Sequence, residues 1–208
     1  MANTYLSRTP SSTGNTKKFT FSAWVKRSNL GSAGHIFHVY PGSGERSRIL
    51  FTSSNQLHVE LEAANSNKLI TTRLFRDVSA WYHIVVVYDS DNGTSGNRVI
   101  LYVNGVRETS FGTEVYPSSG STSGINTTTQ HEISSYDGSA EFFDGSMSHI
   151  HFTDGYVYDA TAFGEYDANG VWKIKTSPSV TYGTNGFFIL KDGNSVTDQS
   201  GNSNNFTV

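Results

Sequence analysis

Glu60 and Glu62 stand two residues apart in Leu57-His58-Val59-Glu60-Leu61-Glu62, where apolar and polar side chains alternate. A strand repeats every two residues, so both carboxyls project from one face with His58 beside them. Carboxyls about 5–5.5 Å apart can cleave a glycosidic bond with retention, one as nucleophile and the other as acid and base. The plainer reading is a solvated strand face opposite Leu57, Val59 and Leu61, on which Glu60→Gln changes nothing.

Asp89-Ser90-Asp91-Asn92-Gly93 offers hard oxygens at Asp89, Asp91 and Asn92 and a glycine for the turn, a donor set suited to calcium. Asp137-Gly138 and Asp154-Gly155 are further acidic loops. The alternative is Asx-turn chemistry, in which Asp and Asn cap their own backbone. Among the seven histidines, His149 and His151 share a strand face at a spacing that can hold a metal, whereas His35 and His38 do not. Exterior imidazoles are the simpler reading. The chain has no cysteine, which excludes disulfides, thiol nucleophiles and thiolate zinc sites. No Gly-x-Ser-x-Gly string occurs, and Gly42-Ser43-Gly44 reads as a turn.

A sugar presents an apolar CH face and a rim of hydroxyls, which stacked aromatics together with Asp or Asn can meet. Tyr136, Asp137, Tyr156 and Tyr158 follow the long polar stretch 117–129 and form the candidate carbohydrate rim. Trp24, Trp81, Tyr82, Tyr88, Phe142 and Phe143 are assigned to the core.

The elements that must position these groups are strands. Phe19, Phe21, Ala23 and Val25 share one face, and Tyr82 to Tyr88 is nearly continuous apolar, as in a strand covered on both sides. Arg98 to Val103 ends at Asn104-Gly105, a tight-turn dipeptide, and Val106 to Thr109 returns. Met147 to Phe152, Tyr156 to Tyr158 and Phe187 to Leu190 extend the set to about nine to twelve strands. The 117–129 stretch is read as a mobile loop or a lid. Segment 159–180 is an irregular excursion carrying Phe163, Tyr166 and Trp172.

Charged residues are 16% of the chain, below the roughly 25% usual for soluble domains, and the net charge is −3. Basic residues do not cluster, so the electrostatic footprint of a nucleic-acid binder is missing. No apolar run approaches the ~18 residues of a membrane-spanning helix, and residues 1–20 carry no apolar signal-peptide core. The fold class is therefore all-β: one antiparallel two-sheet sandwich over residues 1–208.

Four segments sharpen this. Phe19 to Lys26, Trp81 to Asp89, Ile100 to Gly105 and Phe143 to Ile150 resemble, in order, strands of the laminin-G-like and pentraxin-like branch of the concanavalin A-like jelly-roll sandwiches. That resemblance raises the calcium expectation, because many such domains hold calcium on a sheet-edge loop. Glucanases on related sandwiches place a third acid on the paired-carboxylate strand, but Glu60-Leu61-Glu62-Ala63-Ala64-Asn65 lacks it.

The ends are similar to virion structural or appendage proteins of phages and large aquatic viruses. The residues concerned are Tyr5 to Pro10, Trp24 to Arg27, Asp154-Gly155, Ala162 to Glu165, Gly170 to Trp172, Tyr182 to Phe187 and Asp198 to Asn205. The resemblance implies a particle-associated, non-catalytic role in a fibre, spike or decoration. Its expected partners are other virion proteins or copies of itself in an oligomer, with glycan adhesion at a host surface. It leaves open that the chain is one domain of a longer protein. A free-standing lectin-like module and a glycoside hydrolase are the alternatives.

Overall fold

The computed structural model describes residues 3–42, 45–62 and 67–208. Ser43, Gly44 and the Ala63 to Asn65 positions lie outside the described residues. In chain order the strands begin β1 (Leu6–Arg8), β2 (Lys18–Arg27), β3 (Gly34–Gly42), β4 (Glu45–Phe51) and β5 (Gln56–Glu60). They continue β6 (Lys68–Leu74), β7 (Tyr82–Asp89), β8 (Val99–Val103), β9 (Val106–Arg107) and β10 (Phe111–Val115). The last five are β11 (His131–Ile133), β12 (Gly145–Asp154), β13 (Gly164–Tyr166), β14 (Trp172–Ile174) and β15 (Phe187–Ile189).

Two antiparallel sheets carry the fold. One runs β1-β11-β3-β4-β5-β6-β10 and the other β15-β12-β2-β7-β8-β9, while β13 and β14 form a separate hairpin. The core lies between the two large sheets. Phe19, Phe21, Ala23 and Val25 of β2 meet Phe37, Ile49, Phe51, Leu57 and Val59 from the other layer. Each large apolar side chain buried there contributes about 1.5–3 kcal/mol.

Alternation fixes what faces outward. Ile84, Val86 and Tyr88 of β7 point into the core, so Val85 and Val87 point away from it. They are nevertheless buried, because Ala160 and Phe163 cover them, with Tyr158, Trp172 and Val180 packed around. Segment 159–180 is thus a third layer lying on the outside of the six-stranded sheet, and β7 is dry on both faces. The turn after β8 forms as read, with Asn104 and Gly105 both at positive φ (49° and 81°).

Three expectations change, the first being the strand count, which is fifteen among the described residues rather than nine to twelve. Tyr156 to Tyr158 is not a strand: hydroxyls of Thr20 and Thr153 donate to the Tyr156 carbonyl at 3.2 and 2.9 Å, and Tyr158 N–H donates to Thr20 Oγ1 at 2.9 Å. Side chains from the sheet take the place of a neighbouring strand. Stretch 117–129 is not a mobile loop, because Ser123, Ile125 and Asn126 are buried and Ile125 belongs to the core.

Candidate functional site

The paired glutamates do not face solvent. Glu60 is fully buried and Glu62 is 8% exposed, which corrects the solvated-face reading. Register explains part of this. Glu132, His38, Arg48 and Glu60 stand opposite one another across β11, β3, β4 and β5, on the outside of the seven-stranded sheet. Arg48 Nε and Nη2 each lie 2.8 Å from Glu60 Oε2, and His58 Nε2 lies 3.4 Å from the same oxygen. Burial alone raises the Glu60 pKa, but His58 and Arg48 outweigh it and hold the carboxyl below its ordinary value. A carboxylate locked to arginine and closed to solvent is a structural charge pair and is poorly placed to attack a glycoside.

The calcium candidates sit at the end of β7. Lys18 Nζ lies 3.5 Å from Asp89 Oδ2 and Lys17 Nζ 3.6 Å from Asp91 Oδ1. Asn92 Oδ1 accepts from Thr94 N–H at 3.0 Å, an Asx turn. Lysines neutralise both carboxylates here. Among the described residues, no group of three or more histidine, aspartate or glutamate side chains is arranged to hold a metal.

The histidines are interior groups rather than exterior ones, since six of the seven are buried. His151 stacks on Phe188 at 3.9 Å and bonds the Tyr182 hydroxyl at 2.9 Å, while His149 is half-buried in the β12 bulge at positive φ.

The proposed tyrosine rim is divided between the two sides of the sandwich. Tyr136 lies against His35 and His38 on the seven-stranded sheet, with centroids 5.3 and 4.7 Å away, and Asp137 follows it in a left-handed turn. Tyr156 and Tyr158 lie 6.5 Å apart beside the third layer on the six-stranded sheet. The structure does not bring the two halves together.

What it does bring together is every tryptophan in the chain. Trp24, Trp81 and Trp172 line one open groove of about 530 Å³, with Ser148, Lys173 and Ile174 completing it. Trp24 comes from the outer side of β2 and Trp172 from β14 in the third layer. Trp81 stands just before β7 and is 39% exposed. The core assignment fails for the exposed Trp81, whereas Trp24 is buried, at 6% exposure, although outside the cluster between the sheets.

His83 holds the groove in shape. Its ring stacks on Trp24 at 4.7 Å and 9° and on Trp172 at 5.9 Å and 24°. Trp172 Nε1–H donates to His83 Nδ1 at 3.0 Å, so the imidazole proton must sit on Nε2, 2.9 Å from Ser22 Oγ. Burial lowers the His83 pKa to about 3, so the ring stays neutral at physiological pH. Gly105 and Gly164 leave room for the indole, since a Cβ at either position would strike the Trp172 ring. The groove therefore pairs aromatic faces with a lysine and a hydroxyl.

Part of this was readable in advance. If residues 19, 21, 23 and 25 face the core, Trp24 must face the other way. No comparable sequence signal places Trp172, because its partner His83 lies 89 residues away.

The profile of the Concanavalin A-like lectin/glucanases superfamily matches residues 2–160, and the chain belongs to that superfamily. Solved structures with a likeness include a heptameric SAP-like pentraxin from Limulus polyphemus, at 15% identity and TM-score 0.46, covering 74% of this chain and 71% of that one. Another is the CBM40 of the Ruminococcus gnavus IT-sialidase bound to α2,3-sialyllactose, at 15% identity and TM-score 0.47, covering 64% and 75%. A third is the LG4-5 pair of mouse laminin α1, at 10% identity and TM-score 0.44, covering 72% of this chain and 40% of that one. No curated protein sequence matches the chain. Trp172 and the rest of the third layer's hairpin lie beyond the matched residues, so the groove is built half on the superfamily's sandwich and half outside it.

Proposed function

We propose that this chain is a non-catalytic, glycan-binding module of a virion fibre, spike or decoration, and that it binds through the tryptophan groove. The observation that carries the binding half is the convergence of the exposed Trp81 and the half-buried Trp172 on one open groove, which the buried Trp24 also lines. Exposed aromatic faces stack on the CH face of a sugar, and large aromatics dominate the energy of such contacts. The virion half rests on the resemblance of the terminal segments, and self-association on the particle goes with it.

The sequestered Glu60 speaks for binding over hydrolysis. A free-standing lectin-like module is the second reading, favoured by the same groove without the particle.

A glycan array followed by calorimetry tests the binding half. Trp81→Ala is expected to weaken the best glycan by about 2 kcal/mol, roughly 30-fold, without lowering the melting temperature, because Trp81 is exposed. A chain that binds no glycan at all would sink it. Mass spectrometry of purified particles tests the other half. Peptides of this chain in several copies per particle are expected, and their absence argues for the lectin-like reading.

A further inference from the structure

A second site stands at one end of the sandwich. The β2 alternation that sends Phe19, Phe21, Ala23 and Val25 inward sends Arg27 inward too, and Arg27 is only 3% exposed. One guanidinium nitrogen, Nη1, donates to the Phe75 carbonyl at 2.7 Å, and the guanidinium carbon lies 4.8 Å from the Phe51 ring centroid. Among the described residues no carboxylate oxygen comes within 4.0 Å of its nitrogens, so the charge has no ionic partner. An inward, unpaired charge is costly, and breaks of a local pattern concentrate at functional sites.

Arg27 borders a pocket of about 280 Å³, which Asn3, Asn29, Ser32, Glu141 and Asp144 also line. The pocket shares no residue with the tryptophan groove. Guanidinium has five donors in a planar fork that matches a carboxylate edge, and only one of the five is engaged by Phe75. Glu141 and Asp144 make the rim negative, with Glu141 Oε2 3.2 Å from His35 Nδ1. Two rim carboxylates against one guanidinium repel every anion held away from the fork, dianions most, so only a single carboxylate seated directly on Arg27 is favoured. The volume is near the roughly 300 Å³ lower bound of ligand clefts, the size of one sugar ring.

We propose that the Arg27 pocket binds the carboxylate of a small monoanionic, hydroxyl-rich acid of sugar-acid size, with Asn3, Asn29 and Ser32 meeting its hydroxyls. The site is independent of the glycan groove.

Calorimetry on the whole chain with glucuronate, glucose, acetate and sulfate tests this. Glucuronate is expected to bind about tenfold more tightly than glucose, the effect of one charged hydrogen-bonded pair. Acetate is expected to bind more weakly than glucuronate, and sulfate weakest. Arg27→Met should erase the preference for glucuronate over glucose. Trp81→Ala should leave glucuronate binding intact, which separates this site from the groove. Should Arg27→Met fail to fold, Asn29→Leu keeps the arginine, narrows the pocket and is expected to weaken glucuronate. Equal binding of glucose and glucuronate overturns the proposal. So do a preference that survives Arg27→Met, an affinity for acetate equal to that for glucuronate, glucuronate binding lost in Trp81→Ala, or glucuronate binding untouched by Asn29→Leu.

Discussion

Arg48 supplies to Glu60 the charge compensation that water gives an ordinary strand carboxylate, and that changes what mutation at this position does. Glu60→Gln removes the anion and leaves the Arg48 guanidinium largely buried without its partner. We expect a loss of about 2–4 kcal/mol, read as a lower urea midpoint at unchanged slope. An unaltered midpoint would restore the solvated-face reading. The period-two pattern predicts one side for Glu60 and Glu62 but not whether that side is wet, because the row that buries Glu60 is a property of four strands at once. Buried imidazoles add a pH dependence. Burial lowers His35 and His83 to about 3 and His131 to about 4, from the ordinary value near 6.5. The unfolded chain therefore takes up protons between pH 6.5 and those values while the folded chain does not. Stability falls with falling pH across that window, by at most about 1.4 kcal/mol per pH unit for each imidazole. Urea midpoints at pH 7.5 and 5 check this, and equal midpoints contradict it.

At the scale of elements, β7 faces two interiors, and its alternate residues should fail differently. Val86 points into the core between the sheets, so Val86→Asp should abolish soluble folding. Val85 points under the third layer, so Val85→Asp should undock residues 159–180 while the sandwich survives. Hydrogen exchange would then show protection lost over β13 and β14 and kept in β2 and β12. Loss of protection everywhere would mean that the third layer is not a separable cover. Apolar continuity in Tyr82 to Tyr88 already announced two dry faces. The nature of the second cover was hidden, because 159–180 shows almost no alternation and its order comes from contacts such as Phe163 on Val85. The Asn104-Gly105 hairpin was legible because its turn is specified by two adjacent residues. The false strand at Tyr156 to Tyr158 was not excluded by sequence, because its backbone is satisfied by one hydroxyl more than 100 positions away, that of Thr20, as well as by the near one of Thr153.

At the scale of the whole molecule, the polar motif near the C-terminus ties the ends together. Asp198 accepts from Phe188 N–H, Ser200 N–H, Ser200 Oγ–H and Asn204 N–H at 2.8–2.9 Å. Asn204 in turn receives Arg8 and donates to the Thr184 and Gly186 carbonyls, and Thr207 pairs with Ser7. Asp198→Ala should therefore cost about 2–3 kcal/mol and release β1 in hydrogen exchange. The sandwich was legible from four short segments, and the superfamily match agrees with them over residues 2–160. The groove was not, since it needs Trp24 and Trp81 on one layer and Trp172 on another, joined through His83. The most direct test follows the three indole N–H resonances during titration with the glycan that ranks first on an array. The account predicts that the Trp81 and Trp172 signals shift together in a saturable way, and that the Trp81→Ala, Trp172→Ala double variant stays folded and loses binding. Saturable binding that leaves those resonances unmoved, or that survives in the double variant, would contradict it.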